Sequence, residues 1–447
     1  MRTHRAVALI ASIAVTATPL AASADATPAP TSSPTSGAVT HMSLADALRI
    51  AAANNLTYQA ALADQKAAAA RVVQATSGRL PSLTAAYARE HTQSAGAFKI
   101  PSPSGTVSFP ISATNYNSVS ETIDWAIFSG GAVEANVGKA AAGYAAAQSE
   151  LAATRADVIN DTTDAYFQLI QTRKAATIAD QGVGVAQDDL KTAKELFDAG
   201  TAARADVLRE EVTLSDAQLL QVQADNDAAL ANASLANLLN VDLGSTIDAD
   251  ESLDVSAPHF DLSEVLSDAH VRRPEIASSR SAVEIAEDTV KAARAGTLPT
   301  IALQVSNAGL TPNFENIPQP QLSETLSVTW KLFDGGMTHG KVAEASADVE
   351  KAKINLQQLE NGVDLEVRRA YLNYVAAQAR LTAARSGQTS ADENLRVTRI
   401  RYRAGVGTSL ELSDALLADT QAQTQYVSAQ AQLRVALVTL QRAAGLL

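Results

Sequence analysis

Alternating polarity marks the first legible segments of the chain. Leu83, Ala85 and Tyr87 fall on one parity and Thr84, Ala86 and Ala88 on the other. Farther on, Val119, Ile123, Trp125 and Ile127 oppose Ser118, Ser120, Thr122 and Asp124. The pattern returns late in the chain. Ile301, Leu303 and Val305 oppose Ala302, Gln304 and Ser306, and Leu322, Leu326, Val328, Trp330 and Leu332 oppose Ser323, Thr325, Ser327, Thr329 and Lys331. A period of two predicts strands over about 82–92, 116–128, 300–307 and 321–333. Strands of about ten residues have the length of a tilted transmembrane β-strand.

The second strand of each pair runs into a Gly-Gly step, Gly130-Gly131 and Gly335-Gly336, and then into a different period. Val137, Tyr144, Leu151, Val158 and Ala165 recur every seventh residue, as do Val342, Val349, Leu356, Val363 and Ala370. This is a coiled-coil seam thinned by alanine. No strong breaker follows for about 65 residues, which is roughly 100 Å of helix and too long for a compact domain. Gly200 and Gly405 end the two helices, and a second helix runs back from each. Two antiparallel helical hairpins are therefore predicted, over 131–240 and 337–444.

The chain is written twice. A shift of 205 residues superimposes Trp125 on Trp330, Phe128 on Phe333, both Gly-Gly steps, Tyr166 on Tyr371 and Gly200 on Gly405. A shift of 218 superimposes Leu44 on Leu262, Leu48 on Leu266 and Leu80-Pro81 on Leu298-Pro299. The 13-residue difference belongs to the loop Gln93–Asn117, which is longer than its counterpart Asn307–Pro320. Each copy opens with a helix stopped at Pro81 or Pro299, since proline disfavours helical geometry in the residue before it and lacks the backbone N–H. The first repeat spans 42–240, a connecting segment 241–262, and the second repeat 263–447.

The N-terminus places Arg2 and Arg5 before the apolar run AVALIASIAV and an Ala22-Ser23-Ala24 cleavage site. This is the order of a secretory signal peptide, 1–24. Residues 25–41, rich in Pro, Ser and Thr, are expected to form a flexible leader. The chain has no cysteine, which excludes disulfides, thiolate metal sites and a lipidated N-terminal cysteine. The export is therefore expected to be non-lipidated. Net charge is −13, and loss of the two leader arginines makes it −15, which disfavours nucleic acid or anionic headgroups as partners.

Strands with one apolar face can cross a membrane only in a closed barrel, because an open edge leaves backbone groups unpaired in lipid. Four strands cannot close, so several chains must each lend four, and three chains would make twelve. The polar faces would line a water-filled lumen, with Tyr87, Trp125 and Trp330 suited to aromatic girdles.

The duplicated order of helix, Leu-Pro, strand, loop, strand, Gly-Gly, long helix, glycine tip and helix resembles the TolC-like outer-membrane efflux protein family. The resemblance runs from Met42 to Leu447 and is carried by MSLADALRIAAANN, VRRPEIASSRSAVEIAE, the two W-x-x-F-x-G-G turns and the tips LFDAGTAARADVL and RYRAGVGTSLELSDAL. It implies an α+β membrane protein that forms a homotrimer, with a 12-stranded outer-membrane β-barrel continued by a 12-helix periplasmic tunnel. It further implies a periplasmic adaptor and an inner-membrane transporter as partners, outer-membrane lipid around the barrel, and a Gram-negative-type envelope. The mid-tunnel girdle of relatives is expected to be reduced to 241–262 and the chain end.

By the same resemblance, the turns at Gly200, Thr201, Ala202 and at Gly405, Val406, Gly407 face the adaptor. Asp206 and Tyr402 match a latch between the tips, while the arginine that assists it in relatives falls on Gly407. Arg399 and Arg403 are the available substitutes. Asp206 also suits a helix start. Glu411 and Asp414 match an acidic ring at the periplasmic entrance, and their i, i+3 spacing puts them on one helix face, as a solvated acidic face also would.

No enzyme signature is present: the six histidines are scattered, GVGV at Gly182 lies inside a helix, and GVGTS at Gly405 lacks the P-loop lysine. Glu210 and Glu211 read as solvated acids. No cofactor is expected. The function implied is a passive exit duct of an efflux or type I secretion system. An exported coiled-coil scaffold or adhesin without a pore is the alternative.

Overall fold

The computed structural model of the chain describes residues 39–92, 97–110, 114–250, 253, 257–312 and 321–447. The signal peptide and most of the leader lie outside the described residues. Helix α1 (Leu44–Asn54) starts at Ser43, whose Oγ accepts from Asp46 N–H at 3.2 Å. Helix α2 (Leu56–Ser77) follows after a break at Asn55, whose side chain accepts from Tyr58 N–H and donates to the Leu238 carbonyl. Helices α5 (Leu262–Arg272) and α6 (Pro274–Arg294) repeat this arrangement, with Arg273 at the break in the same extended conformation. The single helix expected before each Leu-Pro step is thus two helices. Asn55 caps one start, and Pro274 suits the first position of the other, where no N–H is needed.

Four strands form one antiparallel sheet in the order β2 (Ser82–Thr92), β5 (Thr114–Phe128), β7 (Thr300–Pro312), β8 (Gln321–Thr329). The register places Leu83 opposite Ile123, Ile123 opposite Val305, Trp125 opposite Leu303 and Leu303 opposite Leu326, so the apolar parities share one face. The other face aligns Thr84, Thr122 and Ser306, and Gln304 Nε2 donates to Asp124 Oδ1 at 2.8 Å. Strand β8 ends at Thr329, earlier than the expected 333, and Trp330 directs its indole N–H to the Thr297 carbonyl at 3.0 Å. Trp125 makes the equivalent bond to the Arg79 carbonyl at 3.1 Å. Within the loop expected at Gln93–Asn117, β3 (Ala97–Ser102) and β4 (Gly105–Pro110) pair as a hairpin.

Helices α3 (Ala132–Asp198) and α7 (Met337–Arg403) have 67 residues each, and α4 (Arg204–Leu238) and α8 (Ser409–Ala443) have 35 each. Both long helices start at glycines with positive φ: 66° and 89° at Gly130 and Gly131, 68° and 91° at Gly335 and Gly336. A Cβ on Gly130 would stand 2.8 Å from the Ala295 carbonyl oxygen, so this turn requires glycine for conformation and for space. Ser129 Oγ accepts from Val133 N–H and Asp334 Oδ2 from Thr338 N–H, capping the two starts from matching positions.

The leader is shorter than expected. Residues 39–41 belong to β1 (Val39–Met42), which pairs in parallel with β6 (Thr246–Ala249) from the connecting segment. Tyr166 ties the pair to α3, donating to the Met42 carbonyl at 3.0 Å. An apolar cluster around Met42, Tyr166, Leu169, Leu235 and Ile247 fills this level. Beside it Arg273, 3% exposed, donates to both oxygens of Glu366 at 2.7 and 2.9 Å. Arg442 joins Glu366, Glu275 and Asp157. Burial raises the Glu366 pKa, but Arg273 and Arg442 outweigh it and hold the carboxyl below its ordinary range. No described helix is long and apolar enough to cross a membrane.

Candidate functional site: the helical tips

The α3–α4 and α7–α8 turns lie together at the end of the molecule remote from the sheet. Gly200 and Gly405 adopt φ of 75° and 74° and close their helices in the left-handed conformation. Thr201 N–H returns to the Leu196 carbonyl at 2.9 Å, and Val406 N–H to the Arg401 carbonyl at 3.0 Å. Thr201 and Val406 project into solvent, and Ala202 is half-buried. A Cβ at Gly407 would meet Tyr402 N at 3.0 Å, so the turn would have to give by a few tenths of an ångström to admit a side chain.

Asp206 and Glu411, which the 205-residue shift superimposes, do the same local work. Asp206 Oδ2 accepts from Ala203 N–H at 3.1 Å, and Glu411 Oε2 accepts from Thr408 N–H at 3.3 Å. Thr408 Oγ1 accepts in return from Glu411 N–H, completing a capping box that Ala203 cannot form. Glu411 also lies 3.6 Å from Arg401 Nη1. Asp414 is exposed one turn along α8.

Asp206 and Tyr402 come together at the tip without a hydrogen bond between them. Asp206 Oδ1 accepts instead from Ser409 Oγ at 2.7 Å, and the Tyr402 hydroxyl is buried without a hydrogen-bond partner among the described residues. What surrounds Tyr402 is an acidic cluster that includes Glu210, expected from the sequence to be solvated. Glu210 is 1% exposed and Asp189 2%. Arg399 donates from Nη2 to Asp189 Oδ2 at 3.3 Å, and Ser413 Oγ donates to Glu210 Oε1 at 3.4 Å. Burial, aided by the Asp189 charge, pushes the Glu210 carboxyl up to about 7. Burial raises Asp189 as well, against the pull of Arg399. Tyr402 is pushed up to about 12, by burial first and then by the charges of Glu210, Asp206 and Asp189. Arg399 is thus committed to Asp189, and Arg403 is exposed.

Sequence reasoning missed Glu210, yet a signal exists. The 205-residue shift places it on Ala415, which is 3% exposed in the packed face of α8. An acid at a position whose repeat equivalent is apolar and periodic belongs to the core side. Around the cluster Ala186, Ala193, Leu395, Leu412, Ala415 and Leu416 pack the hairpins together, so the tip is a small core with charges inside it.

The chain is 28% identical over 343 residues to Protein CyaE of Bordetella pertussis, covering 74% of this chain and 70% of that one. It is 28% identical over 228 residues to the alkaline protease secretion protein AprF of Pseudomonas aeruginosa, covering 49% of this chain and 47% of the other. Among solved structures, the CmeC outer membrane channel of Campylobacter jejuni superimposes with a TM-score of 0.78 at 18% identity, over 90% of this chain and 85% of that one. The outer membrane efflux protein profile matches residues 12–241 and 265–446. With its two-faced sheet and paired long helices, the chain belongs to the outer membrane efflux protein family.

Proposed function

We propose that this outer-membrane efflux protein works as a homotrimeric exit duct. Three copies lend four strands each to a 12-stranded barrel, and their helices continue it as a tunnel through the periplasm. The observation that carries this reading is the sheet β2–β5–β7–β8, apolar on one face, polar on the other and, among the described residues, open at both edges. Such a sheet is stable in lipid only when closed with others like it. The two repeats supply the wall in alternation, and the Gly-Gly and Leu-Pro steps, with Gly130, Gly131, Gly335, Gly336, Pro81 and Pro299, carry it from barrel to tunnel.

The tips, Gly200–Ala202 and Gly405–Gly407, form the end that meets a periplasmic adaptor and, through it, an inner-membrane transporter that supplies the energy. Glu411 and Asp414 ring the entrance, and Asp206 with Tyr402 belongs to the mechanism that keeps it shut. Here the closure runs through Ser409, Glu210, Asp189 and Arg399. The cargo is a secreted protein or a small molecule. A secretion protein among the relatives favours the first.

The test is a detergent-extracted preparation run with and without heating and then reconstituted in a planar bilayer. A heat-dissociable trimer with discrete ion conductance is expected. A soluble rod without conductance would overturn the proposal. Deletion of the gene, followed by drug susceptibility and secreted-protein profiling side by side, separates the two cargo classes.

A further inference from the structure

The sheet leaves the outer edges of β2 and β8 without a partner strand among the described residues. We infer that a second copy of this chain pairs β8 with its own β2 in one register, with Val328 opposite the neighbouring copy's Tyr87, Leu326 opposite Arg89 and Glu324 opposite His91. The inference rests on the trimer proposed above and adds which residues meet across its joint.

The register comes from ladders present in the chain. Within the first repeat, Leu83 faces Ile123 and Tyr87 faces Val119. Shifting the first strand by 218 and the second by 205 turns these pairs into Ile301–Val328 and Val305–Glu324, which are pairs found between β7 and β8. The shifts that superimpose the sequence therefore superimpose the hydrogen-bonded registers. The remaining joint, β5 with β7, links one repeat's second strand to the other's first, pairing Val119 with Gly309, Glu121 with Asn307, Ile123 with Val305 and Trp125 with Leu303. The same shifts carry these onto Glu324–His91, Leu326–Arg89, Val328–Tyr87 and Trp330–Ala85. The joint between copies is then the repeat of a joint inside each copy.

Two independent features fit this occupant. The register keeps every apolar residue of β8 on the apolar face of β2, whereas a one-residue slip would turn one strand's apolar row into the lumen. The edges are also complementary in charge: β8 carries Glu324 in an otherwise apolar row with Leu322, Leu326 and Val328, and β2 carries Arg89, which this register sets diagonal to Glu324, with the imidazole of His91 directly opposite. A carboxylate facing lipid without a counter-charge is costly, and a cross-strand cation offsets it.

The absence of native cysteine makes the joint directly testable. Paired variants Val328→Cys with Tyr87→Cys, and Thr329→Cys with Ala86→Cys, sample the outward and inward rows of the register, one hydrogen-bonded and one not. Within one copy β2 and β8 are separated by two strands, about 14 Å, beyond the reach of a disulfide, so any link joins two copies. Oxidation of membranes is expected to give reducible covalent dimers and trimers for at least one of these pairs. The two-residue slips, Val328→Cys with Ala85→Cys and Val328→Cys with Arg89→Cys, are expected to give less than about one-fifth as much. A slipped pair that links better, or failure of both register pairs in a chain that amine cross-linking shows to be trimeric, overturns the register. Absence of any trimer in the cysteine-free chain overturns the trimer and the register together.

Discussion

The Arg399 guanidinium approaches Asp189 with both Nε and Nη2 at 3.3 Å, and this pair joins α3 to α7 inside the tip. Asp189 is 2% exposed, so removing its partner leaves a buried carboxylate with no hydrogen-bonded counter-charge and only the pull of Arg403. Arg399→Ala is expected to weaken the tip by about 3 kcal/mol. Hydrogen exchange should quicken in 186–203 and 395–412 while the level of Tyr166 stays protected, because the tip has its own small core. Replacing both partners, as Asp189→Leu with Arg399→Met, should recover most of the loss, since an apolar pair has no charge to strand. Equal exchange in parent and single variant would show that the pair holds nothing shut.

Glu210 gives the tip a pH dependence of definite sign. Its carboxyl is raised from the ordinary 4.5 to about 7 by burial and the neighbouring Asp189 charge. Below pH 4.5 folded and unfolded states both carry the proton, and the packed arrangement keeps its full stability. Between 4.5 and 7 the unfolded state gives up the proton first, so stability falls as pH rises; above 7 the loss is complete. The span corresponds to something on the order of 3 kcal/mol. Protease nicking near the turns should therefore increase from pH 5 to pH 8, and Glu210→Gln should flatten that increase. A wild-type tip equally resistant at both values would contradict the burial argument.

At the entrance, six carboxylates would ring the opening of a trimer if Glu411 and Asp414 both face it. Glu411→Gln with Asp414→Asn is expected to abolish block by divalent cations in single-channel recordings. Glu411→Gln keeps the acceptor of the capping box and loses only the exposed pairing with Arg401, so the double variant should cost no more than about 0.5 kcal/mol of local helix stability. Block that persists unchanged would remove these residues from the ring.

Gly130 separates the demands of conformation and space. Gly130→Ala meets both a φ of 66° and a carbonyl oxygen 2.8 Å from the new methyl, while Gly131→Ala meets only a φ of 89° in open space. The first variant should lower the unfolding temperature of the detergent-extracted protein well below that of the second, whose cost is about 1–2 kcal/mol of backbone strain per site. Equal shifts for the two would show that the Ala295 carbonyl yields.

Much of this architecture was legible because the chain repeats itself. The strand faces, the Gly-Gly turns and the ends of both long helices each appear twice, so a weak local signal was checked against its copy. Interactions that break the repeat were not legible. Glu210 sits where the other copy has Ala415, and beside Glu211 it passed for a surface acid. Strand β1 depends on residues some 207 positions away, which no local pattern announces. The helix breaks at Asn55 and Arg273 did carry local signals, a capping asparagine and a following proline, that the apolar periodicity across them obscured. The tryptophans suited a girdle by composition, and only the fold reveals that their indole N–H groups bind the backbone just ahead of Pro81 and Pro299.

Those two indole bonds brace the pivots of very long arms. A helix of 67 residues extends about 100 Å, so a rotation of one degree at its base displaces the far end by about 1.7 Å. In the proposed duct a few degrees at the sheet would be geared into a shift the width of a side chain at the tip. The stiffness of Trp125 and Trp330 against their carbonyls would then bear on the opening alongside the charges at the tip.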